Sequence, residues 1–506
     1  MDPRNIIVLI ILVYLFLNIV LGIWINRRHV KNAKSGFLSE YFLGGRSMGG
    51  VVLAMTLIAT YTSASSFLGG PGLASVWGLT QSWVSVVQIG ATFLTLGVIG
   101  KKFALVSREI NAVSVSDYLR ARYNSKLIVI ITSLGQLFFF VALMVAQFIG
   151  GATLLETVIG IPYEFGLLIF AAVVIVYTAC GGFRAVVITD TLQGFLMILG
   201  TFMIIIFMAI AGGGLDNLIS TAGNTVPGWM ELGLGEAANS DPLLAPGFLV
   251  SYWVLVGVAV IGLPQTSIRA MGFKDTKSMH RAMLIGTIVV GILMLGMHFA
   301  GALAGPLIEQ GAIQNTDQVV PYIINKYMPA WAAGLFLAAP LAAIMSTVDS
   351  LLILSSATLI EDIYNNFLKN TRIVSAEAKV KFFGNKNLSL FSITITILLG
   401  IAVMLIALYP PDIIVWVNLF ALGGLEAVFF WPIVGGLYWK RGTKLGCLAS
   451  ILAGLGTFLF FHFVDIAPFG VHEIVMGLLA GGLVFFAVGY FDSRRQSNIN
   501  RLASAS

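Results

Sequence analysis

Ile58-Ala59-Thr60-Tyr61-Thr62-Ser63-Ala64-Ser65-Ser66-Phe67-Leu68-Gly69-Gly70-Pro71-Gly72 is the stretch on which the fold turns. Six of the seven residues from Thr60 to Ser66 carry hydroxyls, and a Gly-Gly-Pro-Gly run follows. A helix interrupted in this way frees backbone carbonyls from the i to i+4 ladder. Secondary transporters built from inverted repeats place substrate and ion at such breaks, near the bilayer midplane. Small residues in a span also permit close helix packing, which is the plainer reading of the same letters.

The surroundings of this stretch are those of a membrane protein. Hydrophobic residues make up 58% of the 506 and charged residues 10%, with a mean hydropathy of +0.94. Soluble domains carry roughly 25% charge. About thirteen apolar runs of some 20 residues recur from Ile6 to the Phe491 region, each long enough to cross about 30 Å of hydrocarbon as a helix. The runs are continuous rather than alternating, which selects helices over a β-barrel. The expected class is an all-α membrane protein with a single transmembrane domain over 1–491 and a short polar tail at 492–506. The first run, Ile6 to Ile25, has no basic segment before it and no small-residue cleavage site after it, and reads as a retained span.

Charge placement predicts the topology. Basic residues cluster after the first span (Arg27, Arg28, Lys31, Lys34, Arg46) and the third (Lys101, Lys102, Arg108, Arg120, Arg122, Lys126). The alternation continues through Arg184, then Arg269, Lys274, Lys277 and Arg281, then Lys369 to Lys386, then Lys440, Arg441 and Lys444, and finally Arg494, Arg495 and Arg501. These loops hold 27 of the 29 basic residues, leaving Arg4 and Lys326 for the other side. An excess of Lys and Arg marks cytoplasmic loops, so the N-terminus is expected outside and the C-terminus inside a bacterial inner membrane. The net charge of +6 then marks loops rather than a nucleic-acid surface.

Several chemistries lack their residues. No GxxxxGK[ST] string exists to hold ATP phosphates. His472-Glu473 lacks the second His of a zinc protease, and the one GxSxG match, Gly45 to Gly49, lies in a basic loop without the strand that a nucleophile elbow needs. Cys180 and Cys447 sit in or beside apolar runs without CxxC spacing, which supports neither a disulfide framework nor a metal site. An enzyme is the weakest reading, and no cofactor is expected.

Two further segments extend the first. The seventh span contains Val260-Ile261-Gly262-Leu263-Pro264-Gln265-Thr266, a second expected break five spans after the first. Two five-helix halves of opposite orientation follow, over about 48–213 and about 247–439, since an odd number of spans inverts the second copy. The ninth span places Ala343, Ser346 and Thr347 at i, i+3 and i+4 on one helical face. With carbonyls freed at Ala59 and Thr62 they make a five-oxygen, uncharged set of the kind a hard cation such as Na+ prefers. Taken alone, the two hydroxyls would more often bond back to the preceding turn.

At these residues the chain resembles the sodium/solute symporter family. The match runs over most of the length, through Glu40-Tyr41-Phe42-Leu43-Gly44-Gly45-Arg46-Ser47-Met48-Gly49-Gly50, the Ala59 to Gly72 segment, Gln147 to Ala152, Gly181-Gly182-Phe183-Arg184-Ala185, and Thr189-Asp190-Thr191-Leu192-Gln193. Val260 to Pro264, Gly296-Met297-His298, Ala338 to Thr347 and Gly423 to Phe429 resemble the branch whose members carry pantothenate. The resemblance implies a LeuT-like five-plus-five inverted-repeat core with one extra N-terminal and two extra C-terminal helices. It also implies Na+ as coupling ion and pantothenate, or another small carboxylate or amino acid, as solute. No obligatory protein partner is implied beyond the lipid bilayer. Ala59, Thr62, Ala343, Ser346 and Thr347 match the family's sodium ligands, the first three through carbonyls, and Asp190 matches a position on the sodium exit path. Proline symporters carry an Asp two residues after the first carbonyl donor, where this chain has Tyr61, so no role of that Asp transfers.

Tyr61, Thr60, Ser63 and Ser65 offer neutral hydrogen bonds to a solute rich in hydroxyl, amide and carboxylate groups. Gln147, Tyr252 and Gln265 are further candidate contacts, and the freed helix N-terminus at the break favours a carboxylate. Ionisable residues at membrane depth are functional suspects. Asp190 also reads as an N-cap at the start of the sixth span. Asp349 lies about 240° around the helix from Ala343, away from the ion face and toward inner water, and reads first as structurally paired. Glu426 and His298 read first as structural. A solute sensor would ordinarily append a signalling domain, and a channel would need a charged ring or a repeated filter.

Overall fold

The computed structural model describes residues 2–30, 47–238, 242–368, 385–410 and 413–503. The motif residues 40–46, the basic residues Lys31, Lys34, Arg46, Lys369, Arg372, Lys379 and Lys381, and the last three residues of the tail lie outside the described residues. Among those described, the regular structure is helical, with one isolated bridge between Met48 and Phe273.

The chain begins with α1 (Pro3–Ile25), the bent pair α2 (Gly50–Tyr61) and α3 (Ser65–Trp77), and α4 (Leu79–Glu109). A short helix α5 (Val115–Tyr123) leads to α6 (Lys126–Ile159), α7 (Tyr163–Phe183) and α8 (Ala185–Ala211). After α9 (Leu215–Thr225) comes a second bent pair, α10 (Pro246–Gly262) and α11 (Pro264–Met271), and then α12 (Thr276–Ala302). The chain continues through α13 (Val319–Tyr327), α14 (Ala330–Tyr364) and α15 (Leu390–Ala407). It ends with α16 (Ile414–Tyr438), α17 (Lys444–Val464) and α18 (Glu473–Gln496). Eleven of these helices are long and apolar enough to cross a membrane, and counting each bent pair as one span gives the thirteen expected.

Both expected breaks are present. Thr62 leaves the helical region at φ −75°, ψ 139°, and the pair α2 and α3 bends by 73°. Leu263 does the same at φ −68°, ψ 130°, and α10 and α11 bend by 44°. Pro264 explains the second break directly, because it lacks an N–H and pushes the residue before it into extended backbone. The boundary between α7 and α8 is Gly182 at φ 68°, ψ 178°, a conformation that a residue with a Cβ resists.

Helix starts on the side of the basic loops are capped by side chains. Ser114 accepts from the Asp117 N–H, Ser125 from Ile128, and Thr443 from Gly446. Asp275 Oδ1 accepts both the N–H and the hydroxyl of Ser278 at 2.8 Å each. Those bonds favour the ionised form and hold the Asp275 carboxyl below its ordinary range.

α14 is the structural axis, buried along its whole apolar window and packed against α1, α6, α7 and α8. The Gly-Gly-Pro-Gly run lets α3 approach its neighbours closely. A methyl on Gly301 of α12 would overlap the backbone of Pro71, and one on Gly72 would overlap the Thr316 carbonyl. Gly301→Ala is therefore expected to destabilise the protein by about 1–3 kcal/mol through overpacking. Gly90→Ala, which has no atom within 4 Å of the added methyl, is expected to be neutral or stabilising. Thermal unfolding in detergent with both variants checks the pair.

Candidate functional site

The break in the second span leaves four carbonyls, Ala59 to Thr62, without their usual i+4 donors. Three of those donors are used elsewhere. The Ser63 N–H donates to Ser66 Oγ (3.3 Å), that of Ala64 to Gln147 Oε1 (2.7 Å), and that of Ser66 to the Ser63 carbonyl (3.0 Å). Two of the freed carbonyls meet the predicted face of α14. Ser346 Oγ donates toward the carbonyls of Ala59 (2.8 Å) and Ala343 (3.1 Å). Thr347 Oγ1 donates toward those of Thr62 (2.7 Å) and Ala343 (3.0 Å).

The five oxygens named from sequence thus come together, and the back-bonding alternative is present in the same geometry, since both hydroxyls also reach Ala343. Two hydroxyl protons serve three carbonyls, each with two lone pairs, so the cluster holds more acceptors than donors. Ser346 is 0% and Thr347 2% exposed. A dry, neutral, acceptor-rich cluster is the chemistry that a hard cation selects.

Thr347 also lines a cavity between the two bent spans, together with Thr60, Tyr61, Ser63, Ser65, Tyr252 and Gln265. Of the seven candidate contacts, Gln147 is the one that does not line it. Its amide instead bridges the break, accepting from Ala64 and donating to Leu143 O and Asn418 Oδ1, both at 3.4 Å. The polar groups on the wall differ in availability. The Tyr61 hydroxyl is already used, donating to the Val256 carbonyl at 2.8 Å, and Thr60 accepts from Arg269 Nε at 3.0 Å. Tyr252 OH, Gln265 Oε1 and Gln81 Oε1 are buried without a protein partner. Buried polar atoms of this kind are rare and point to a ligand that satisfies them.

Gln81, Gln88, His298 and Asn418 also line the cavity, and the sequence reading did not assign them there. The two glutamines lie seven residues apart on one face of the third span, a polar stripe in an apolar helix that was legible. His298, expected to be a packing residue, has Nδ1 2.7 Å from the Met294 carbonyl, which can only accept, so Nδ1 donates.

One turn from the oxygen cluster lies a buried charge network. Asp190 Oδ2 is 3.2 Å from Arg269 Nη2 and accepts from Thr56 Oγ1 at 2.6 Å. The guanidinium also donates to Ser350 Oγ and lies 4.7 Å from the centroid of the Phe183 ring. Ser350 in turn donates toward the Ser346 carbonyl (2.7 Å), and Tyr177 donates to Asp349.

Three expectations are corrected here. Arg269, grouped from sequence with loop charges, is 1% exposed and sits within α11. Asp190 is not an N-cap, because α8 starts at Ala185. Asp349 is structurally paired, as expected, with Tyr177 and Ser350, but at 0% exposure it does not face inner water. Charge at membrane depth needs partners, and each of these groups finds one across a helix interface that the sequence does not display.

Comparison with known proteins agrees with this architecture. The chain is 46% identical over 478 residues to a sodium/pantothenate symporter of Escherichia coli, covering 94% of this chain and 95% of the relative. It is 45% identical to one of Haemophilus influenzae, covering 92% and 93%. A substrate-bound, outward-open Na+-coupled sialic acid symporter superposes with a TM-score of 0.75 over 96% of this chain and 98% of that one, at 19% identity, which speaks to fold alone. The model of the sodium:solute symporter family matches residues 41–454, more than three quarters of the chain. With this match and these relatives spanning nearly the whole sequence, the chain belongs to the sodium:solute symporter family.

Proposed function

We propose that this protein imports pantothenate together with Na+ by alternating access. The observation that carries the reading is Thr347, whose hydroxyl belongs to the oxygen cluster and whose side chain lines the cavity. Na+ bound by Ala59 O, Thr62 O, Ala343 O, Ser346 Oγ and Thr347 Oγ1 ties α2 to α14 and so fixes one wall of the solute site. Ion and solute affinities are then reciprocally coupled. The relatives from Escherichia coli and Haemophilus influenzae support pantothenate as the solute, and the cavity's chemistry suits it. The wall is neutral, with hydroxyl and amide groups for a solute of hydroxyls, an amide and a carboxylate.

Thr60, Tyr61, Ser63, Ser65, Tyr252 and Gln265 form the solute wall in this reading, and Gln147 positions the break. Asp190 lies on the path by which Na+ leaves, held by Arg269 until that path opens. The repeats are spans two to six, about 48–213, and seven to eleven, about 247–439. Their leading helices are the two bent pairs, which supports the correspondence. An outer N-terminus and an inner C-terminus draw support from cross-links among basic segments. Met48 pairs with Gly272 and Lys274, and Arg122 donates to the carbonyls of Gly436, Trp439 and Gly442.

Uptake of radiolabelled pantothenate into proteoliposomes is expected with an inward Na+ gradient and not with K+ or H+ gradients. Na+-driven uptake of a competing carboxylate or amino acid instead would keep the mechanism and discard the solute. The double variant Ser346→Ala/Thr347→Ala is expected to raise the Na+ concentration for half-maximal uptake at least ~10-fold, about 1.4 kcal/mol. Unchanged Na+ activation would remove those hydroxyls from the ion site. Arg269→Ala leaves Asp190 buried and unpaired and is expected to cost about 3–5 kcal/mol in stability, which thermal unfolding of the variant measures against Arg269→Ala/Asp190→Asn.

A further inference from the structure

Glu426 is a buried acid that the sodium and solute reading leaves unused. It lies in the middle of α16 at 0% exposure, and neither carboxyl oxygen has a protein hydrogen-bond partner. The other buried carboxyls near the site differ in this respect, since Asp190 has Arg269 and Thr56, and Asp349 has Tyr177 and Ser350.

Its position follows from the helix period. Leu422, one turn before, lines the cavity. Phe430, one turn after, packs its backbone against Gly262, where an added methyl would overlap it. Glu426 lies on the face they share, about 6 Å along the axis from each. It therefore sits beneath the cavity on the side of Lys440, against the tight turn Ala259–Gly262 that precedes the break in the seventh span.

The titratable groups around it offer no counter-charge. From α2, Tyr61 is near enough to feel the carboxyl, and its hydroxyl is bonded to Val256. From α10 the nearest titratable residue in sequence is Tyr252, and α6 has none between Lys126 and Glu156. From α5, Tyr123 and Arg122 bond α16 at Pro432 and Gly436, one and a half turns or more further on. α17 carries Lys444, Cys447 and His462, and α18 carries Glu473, Tyr490, Asp492, Arg494 and Arg495, all toward the helix ends.

An ionised carboxylate without a cation or a donor costs several kcal/mol in such a place, and the group takes a proton instead. We propose that Glu426 is a proton-binding site of the transport cycle. Its carboxyl carries a proton while the 259–262 turn covers it, and gives that proton to water on the Lys440 side when the turn moves away. The O–H bond breaks to leave a carboxylate and a hydrated proton, and closure takes one proton back. This inference rests on the alternating-access reading above. By linkage, the covered form binds one more proton than the uncovered form, so raising the pH on that side favours the uncovered form by up to tenfold per pH unit.

Two measurements test it on purified full-length protein and Glu426→Gln, which mimics the protonated acid in shape and charge. Na+-dependent protection against thermal unfolding shows that the variant is folded. In proteoliposomes loaded with radiolabelled pantothenate, the initial efflux rate of the unmodified protein should rise with internal pH from 6 to 8, and that of E426Q should be flat. The infrared spectrum of the unmodified protein minus that of E426Q should show a carboxylic-acid C=O band. Identical pH profiles for the two proteins, or no carboxylic band in the difference spectrum, overturns the proposal. If the unmodified protein carries no pantothenate at all, the solute reading fails while the infrared result still decides the fate of Glu426.

Discussion

Two hydroxyls on one buried helix, Ser346 and Thr347, hold the freed carbonyls of Ala59 and Thr62, and the rest of the structure is arranged so that they can. In hydrocarbon a helix breaks only where other protein groups take over its backbone bonds. The second span shows how that constraint is met at its break. Carbonyls go to α14, the Ala64 N–H goes to Gln147 of α6, and the chain's own Ser63 and Ser66 bond each other. Each helix that supplies a partner must then sit at a fixed distance from the break, which explains why the apolar window of α14 is wholly buried and why glycines thin the contacts of α3.

The same constraint converts a structural need into a functional one. Partners that hold the break through neutral oxygens leave a cluster rich in lone pairs and poor in protons. In the proposed reading a small cation supplies what the hydroxyl protons do not, and because Thr347 belongs to the cluster and also lines the cavity, the proposed ion and solute sites adjoin in one polar seam. No side chain there needs to change its charge for the ion to come or go.

Charge is placed around the seam rather than in it. Asp190 and Arg269 join α8 to α11, and Tyr177 and Asp349 join α7 to α14, below the oxygens and out of water. These bonds cross the interface between the first and second halves of the proposed core, the place where alternating access must loosen and re-form contacts. Ser350 links the guanidinium to the carbonyl of Ser346, so the charge network and the oxygen cluster share a helix turn. Gln81, Tyr252 and Gln265, with buried polar atoms that no protein group satisfies, line the part of the seam proposed for solute.

Local sequence determined the number of spans, both breaks and the α14 face that meets the freed carbonyls, because each rests on information within a few residues. Apolar run length fixes a span, Pro264 and the Thr60 to Ser66 hydroxyls interrupt one, and i, i+3, i+4 spacing fixes a face. Only the tertiary structure decided what depends on a partner far along the chain. Arg269 looked like one more basic loop residue until α11 folded inward to meet Asp190, 79 positions earlier. Gln147 looked like a solute contact until its amide was seen to serve Ala64, and Asp349 looked hydrated until Tyr177 covered it. A helix period states which way a side chain points, but what waits there is set by packing between helices distant in sequence, and in a low-dielectric interior that partner decides what a polar group does.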